Sequence, residues 1–397
     1  MVFALIGSLV ITLTVLPVLC AWFMRNGVQE RRNKIFENVK GRYERGLDYC
    51  LKNPWRTTIA SGALLALASE LFKNSRERLA ALGVFIAFSG WDIVGALATR
   101  RFAEHMESWA GVQFSSTITL AFWVPQHALA GWTGALFYLL WRNGQRPLSP
   151  LLTTLPLTAL WSPLALIGSM PFAAAAGAVA LARRELRMSD VVLPAGAVLL
   201  AFPGLLYMSA ADQAVGSGTL PVTARQYGLF EALEVLPYLV PLAYAAIRFH
   251  EDRLTLALAG LCLLVAPFVR IGSSVDLTMR ASIPALAVLA FLTARLLVQP
   301  RARQLGLVKA WLLFALAIGA ATGGSEVLRS LSHPPSPRGS CSFFKAWDQN
   351  FAWYPKETYL APLNEMPTLV RPRAPTRVPA TEPAQCWVGD WYRPSGA

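Results

Sequence analysis

Apolar runs of membrane-crossing length recur along this 397-residue chain from Val2 to about residue 323, and no other feature limits the fold so severely. About twenty apolar residues in a helix, rising about 1.5 Å each, cross the roughly 30 Å hydrocarbon layer of a bilayer. Inside that layer every backbone N–H and C=O must find its partner within the protein, which favours helices for runs this continuous. With 54% hydrophobic and only 15% charged residues, little chain remains for a water-soluble core. The expected fold is all-α, a polytopic membrane helix bundle of about 10–11 transmembrane helices embedded in a lipid bilayer.

Helices are expected near residues 2–24, 79–98, 118–141, 148–168, 169–182, 190–209, 228–247, 254–269, 281–299 and 307–323. The stretch 169–182 is short and Ala-rich, as a tilted or half helix would be. The opening run has no basic segment before it and is too long for a signal peptide's apolar region, so it reads as a spanning helix.

A formal net charge of +13 would suit a nucleic-acid binder, but the basic residues do not form one patch. They cluster at Arg142/Arg146, Arg183/Arg184/Arg187, Arg248/Arg253 and Arg301/Arg303/Lys309, at every second connection between apolar runs. That alternation is the positive-inside pattern, so these connections are expected in the cytoplasm and no nucleic-acid partner is expected. Connections 99–117, 210–227 and 270–280 then face outward, as does everything after residue 323. The rule fails near the N-terminus, where the basic stretches 25–56 and 73–78 both ask to be inside. Only "TTIASGALLALASELF" separates them, too short for two crossings.

Residues 1–60 resemble part of the heavy-metal RND efflux pumps. "VFALIGSLVITLTVLPVLCAWFM" is similar to a transmembrane helix of that family and "FENVKGRYERGLDYCLKNPWRTTI" to the amphipathic cytoplasmic stretch after it. The family's porter domains and relay residues have no counterpart here, so the resemblance transfers no functional residue. Further on, "FIAFSGWDIVG", "WAGVQFSSTITLAFWVPQHALAGW" and "DLTMRASIPAL" resemble a group of bacterial polytopic membrane proteins similar to the GT-C glycosyltransferases. The implied organisation is an RND-like segment over 1–60, a seam over 61–78, a GT-C-like bundle over 79–323 and a tail over 324–397. The resemblances imply a bacterial inner-membrane protein that binds or transfers a polyprenyl-phosphate-linked sugar at an outward cavity. The alternatives are an efflux-related transport fragment and an inactive fusion product.

Asp92 lies within an apolar run, where an unpaired carboxylate costs about 2.5–3.5 kcal/mol near the bilayer centre. It reads either as a general base for an acceptor hydroxyl or as a buried, paired packing residue. Glu104, His105 and Glu107 form an acidic patch for a sugar or cation, or a solvated interfacial turn. Two carboxylates and one His fall short of the roughly six oxygens a hard cation wants, so no metal is expected. Trp109, Trp123 and Trp132 read as aromatic-belt residues. "WVPQH" must break or kink its helix, which places His127 beside a cavity or the protein core. Arg270 and Arg280 bracket an outward connection and suit a phosphate, with Asp276 paired to one of them, or else are snorkelling helix-end residues. With Glu104 and His127 beside it, Asp92 completes the candidate catalytic set. His105, Glu107, Arg270, Asp276 and Arg280 are the candidate substrate-binding set. No pattern names a cofactor.

The five cysteines show no metal-binding spacing. Cys341 and Cys386 lie in the Pro-rich tail, expected to be periplasmic, where a disulfide between them is permitted. Each precedes an aromatic cluster, so the tail is expected to pack on the outer face with little regular structure.

Overall fold

The computed structural model describes residues 68–101, 105–159, 162–215, 217–220, 222–272, 275–299, 304–332, 341–352 and shorter pieces of the tail between 356 and 387. The RND-like segment and Glu104 lie outside the described residues.

The described chain is an all-α bundle with one two-stranded ribbon. In order, its helices are α1 (Ser75–Ala87), α2 (Asp92–Thr99), α3 (Thr117–Trp123), α4 (Pro125–Arg142), α5 (Ser149–Thr158), α6 (Pro163–Ala182), α7 (Ser189–Val215), α8 (Ala224–Glu234), α9 (Leu236–Phe249), α10 (Arg253–Val265), α11 (Asp276–Ala281), α12 (Ile283–Val298), α13 (Gly306–Ser332) and α14 (Phe343–Asn350). The strands β1 (Ser217–Thr219) and β2 (Val269–Ile271) pair antiparallel, with Gly218 opposite Arg270.

Four stretches among the described residues are long and apolar enough to cross a membrane: Ser75–Thr99, Pro163–Ala182, Asp276–Val298 and Gly306–Ser332. Two bent pairs raise that number to six, one of them α8 and α9, which meet at 63°. Large apolar side chains such as Leu79, Leu199, Leu261, Leu307 and Leu328 remain exposed. A soluble protein rarely shows so much contiguous apolar surface, whereas lipid tails cover it without cost. The chain is a multi-pass membrane protein.

Helix α12 is the hub, with Ile283, Ala285, Val288, Leu289, Ala290 and Ala294 all buried. Lipid is as apolar as leucine, so close packing rather than escape from water holds such helices together. Small residues supply the closeness. Gly131 on α4 meets the Ile283 side chain, Gly134 meets Ser169 on α6, and Gly168 lies against the Ala281 carbonyl.

The bundle has two chemically different ends. At one, the Arg146 guanidinium binds the Glu70 carboxylate at 2.6 and 2.8 Å, and Arg295 pairs with Asp252 at 2.9 Å. At the other, the Thr117 amide donates to the Phe88 carbonyl, which ties the start of α3 to the end of α1. Helices α1 and α4 therefore run antiparallel, and residues 105–116 cap the second end.

Several expected boundaries move. The apolar run 79–98 is not one helix, because it breaks over Phe88–Trp91. The break expected between 168 and 169 falls at 159–162 instead, so α5 is the short helix and α6 the full-length one. Ser162 explains this by capping α6, its hydroxyl accepting the Ala165 amide, with Pro163 in the first turn, where a proline needs no N–H partner. Helix α13 passes the expected end at 323 and runs to Ser332. Among the described tail residues one short helix, α14, is capped by Ser342.

Candidate functional site

The "FSGWD" stretch is where α1 stops and α2 begins, and its backbone is pinned from three sides. The Tyr238 hydroxyl lies 2.8 Å from the Ser89 carbonyl and 3.1 Å from that of Ala315, sharing its proton between them. The Trp91 amide donates to the Leu233 carbonyl at 3.0 Å. Gly319 on α13 lies directly against the Ser89 carbonyl. Backbone freed at membrane depth is tolerated only when protein satisfies it in this way.

Three carboxylates meet beside the break. Asp92 is 1% exposed, Glu107 0% and Glu234 2%. Asp92 is the first residue of α2 and accepts hydrogen bonds from the Ser89 hydroxyl at 3.1 Å and the Thr322 hydroxyl at 2.9 Å. Glu234 is the last residue of α8, at the bend into α9, and accepts the Trp109 indole N–H at 3.2 Å. Its carboxylate fills the space a side chain at position 90 would take, which is why glycine stands there. The Asp92 and Glu234 carboxyl groups lie close enough for each to act on the other. No N–H or O–H donor reaches Glu234 Oε2. Two neighbouring buried carboxyl groups with no cation bonded to them are stable together when one proton is held between them.

Glu107 sits one layer further out, in the connection that caps the bundle. Its Oε1 accepts the Ser116 amide at 2.8 Å and the Thr119 hydroxyl at 2.7 Å, and its Oε2 accepts the Gln113 amide at 2.6 Å. Burial, and after it the charge of Asp92, push this carboxyl up to about 8. The Glu107 residue is thus not part of a solvated turn, and Trp109 is not an aromatic-belt residue. The connection folds inward because its own hydroxyls and amides give Glu107 the donors that water would otherwise supply.

A second layer lies along α13. Thr322, Glu326 and Arg329 recur at helical spacing and face the same connection. Glu326 meets His105 Nδ1 at 2.8 Å, the Trp123 indole N–H at 2.9 Å and Arg329 at 2.9 Å, while the Arg329 guanidinium stacks over the Trp123 ring at 4.4 Å. His105 is therefore bound to Glu326, beside the acid cluster but not within it.

The remaining candidates form a separate group. His127, in the first turn of α4, lies 2.8 Å through Nδ1 from the Ser162 hydroxyl and close enough to Arg280 and Asp276 to feel both charges. Asp276 and Arg280 pair at 2.8 Å across one turn of α11. Arg270 stands apart on exposed β2, and Asp276 pairs with Arg280 rather than with it. Asp92 bonds Ser89 and Thr322, whereas His127 bonds Ser162 and Arg280 bonds Asp276, so the two sets are held by different partners. Cys341 and Cys386 are bonded to each other, with Cα atoms 4.9 Å apart.

The residues missed in sequence were Glu234, Thr322 and Glu326. A signal existed for the first: Glu231 and Glu234 share a helical face beside an apolar run, an expensive arrangement without a partner. Among the described residues no group of three His, Cys, Asp or Glu has the geometry to hold a metal ion. No known family, curated protein or solved structure matches this chain.

Proposed function

We propose that the end of the bundle capped by residues 105–116 faces outward from a bacterial inner membrane and is an acid–base centre acting on a polyprenyl-phosphate-linked sugar. The observation that carries this reading is the buried Asp92–Glu234 pair with Glu107 above it. A carboxyl pair that holds one proton has a base and an acid in the same place, which is what moving a proton off an acceptor hydroxyl requires. The GT-C resemblance of residues 79–323 supplies the substrate class. His127, Asp276 and Arg280 form a second polar group on the same end, whose guanidinium suits a phosphate. Asp92 acts as the base, Glu234 and Glu107 set its protonation, and the connection must open for a substrate to reach them.

The two helix breaks favour a second reading, proton-coupled transport. Asp92 begins one half-helix and Glu234 ends another, and carriers commonly place their coupling groups at such discontinuities. Purified protein in vesicles separates the two. Turnover or binding of a polyprenyl-phosphate-linked sugar that is lost in Asp92→Asn supports the first reading. Proton flux without sugar binding, lost in the same variant, supports the second and refutes the first.

A further inference from the structure

The basic connections 142–146 and 183–187, forty positions apart in sequence, meet at the opposite end of the bundle around one cavity of about 750 Å³. We propose that this cavity binds an anionic phosphate group. The site is independent of the acid cluster and of the function proposed for it.

Its walls are made by two helix ends of the same construction. Helix α4 ends at Arg142, and Gly144 follows at a φ of +70°, with the Gln145 amide returning to the Leu140 carbonyl at 2.9 Å. Helix α6 ends before Arg183, and Arg184 takes a φ of +58°, with the Glu185 amide returning to the Ala180 carbonyl at 2.9 Å. This closing turn fixes the direction of the chain after each helix, and both present an arginine just before it. Arg142, Arg183 and Arg187 line the cavity and have no carboxylate partner within ion-pair distance among the described residues. Arg146 also lines it but is already neutralised by Glu70.

Two acidic residues share the wall. Asp190 is committed through Oδ2 to the Arg187 backbone amide at 2.8 Å, and Glu185 is exposed. Three uncommitted guanidinium groups against these two carboxylates leave the cavity cationic. Tyr138 and Trp141 give it a partly aromatic floor. A planar guanidinium binds an oxyanion through two parallel hydrogen bonds, and three of them around one cavity suit a phosphate, whose several oxygens and higher charge can engage more than one at once. The phosphate belongs either to an anionic phospholipid at the membrane surface or to a soluble phosphate compound.

The test uses the full chain in phosphatidylcholine nanodiscs with two probes. Retention of added phosphatidylglycerol is read by native mass spectrometry, and binding of inorganic pyrophosphate by calorimetric titration. One or both probes bind the wild type, and the one that binds names the source. The combined variant Arg142→Gln/Arg183→Gln/Arg187→Gln is expected to weaken that binding about tenfold or more. Arg184→Gln removes one positive charge from the 183–187 connection but outside the cavity, and leaves binding unchanged. Glu185→Gln keeps every arginine and tightens binding severalfold, which decides the matter if the triple variant does not fold. Failure of both probes to bind the wild type overturns the proposal. So does an equal loss in Arg184→Gln, or an affinity unmoved by Glu185→Gln.

Discussion

Glu107 gathers two donors of its own connection and the Thr119 hydroxyl of α3 on one buried carboxyl, so its side chain holds the cap of the bundle in place. Glu107→Ala strands the Gln113 amide, the Ser116 N–H and the Thr119 hydroxyl, and is expected to cost about 2–4 kcal/mol. Glu107→Gln keeps most of the shape and costs less. Thermal melts in detergent distinguish the two. The pH dependence has a definite sign. An unfolded chain titrates this group near 4.5, whereas burial and the Asp92 charge raise it to about 8 in the fold. Its contribution to stability is complete below about 4.5 and is lost progressively as pH rises to 8. The melting temperature of the wild type should therefore fall between pH 5 and pH 8 relative to Glu107→Gln. Sequence reading found Asp92 because it stands out in an apolar run, and Glu107 because it shares an outward connection with Glu104 and His105. It missed Glu234 because the Trp109–Glu234 hydrogen bond joins positions 125 apart, and nothing local marks either member as a partner of the other.

A proline at a boundary made the break legible at Pro125, but the cap serine and proline at Ser162–Pro163 went unread and that boundary was placed six residues late. Pro125 ends α3 and starts α4 as its position demanded, and Ser116 caps α3 through the Thr119 amide at 3.1 Å. The break at Ser89–Gly90 was not legible. No proline marks it, and its cause lies on other helices, in Tyr238, Leu233 and Gly319. The end of α13 was misplaced for a related reason: Glu326 and Arg329 look like the start of a soluble tail, yet they are held by His105 and Trp123. Two glycines on α13 test the account of the break. A methyl group at Gly319 would meet the Ser89 carbonyl, whereas nothing lies within 4 Å of one at Gly324. Gly324→Ala is expected to stabilise the helix by up to about 1 kcal/mol. Gly319→Ala should destabilise by about 1–3 kcal/mol, and opposite shifts in melting temperature would show it.

Across the whole molecule, the apolar runs sufficed for an all-α membrane bundle, while the number of crossings did not follow from them. Among the described residues four helices have the length and composition to span, or six with the bent pairs counted. Runs that read as separate crossings include short and broken helices, because apolar sequence also lines the interior of the bundle. The tail is tied down by Cys341–Cys386, by the Ser342 amide on Glu382 at 2.6 Å, and by the Ala361 amide on the Tyr207 hydroxyl at 3.1 Å. Replacing both cysteines by serine should cost the tail about 2–4 kcal/mol. Faster proteolysis after residue 333 with an unchanged melt of the bundle would show that.

The central claim is that the acid cluster lies under the outward end of the bundle, with the arginine cavity at the cytoplasmic end. Ser108, exposed beside Glu107, and Arg184 mark the two ends. Each is changed to cysteine in a background where Cys20, Cys50 and Cys262 are serine, and intact cells are treated with a membrane-impermeant maleimide. Ser108→Cys is expected to label in intact cells and Arg184→Cys only after the membrane is opened. Labelling of Arg184→Cys alone from outside would invert the bundle and remove the basis for an outward acid–base site.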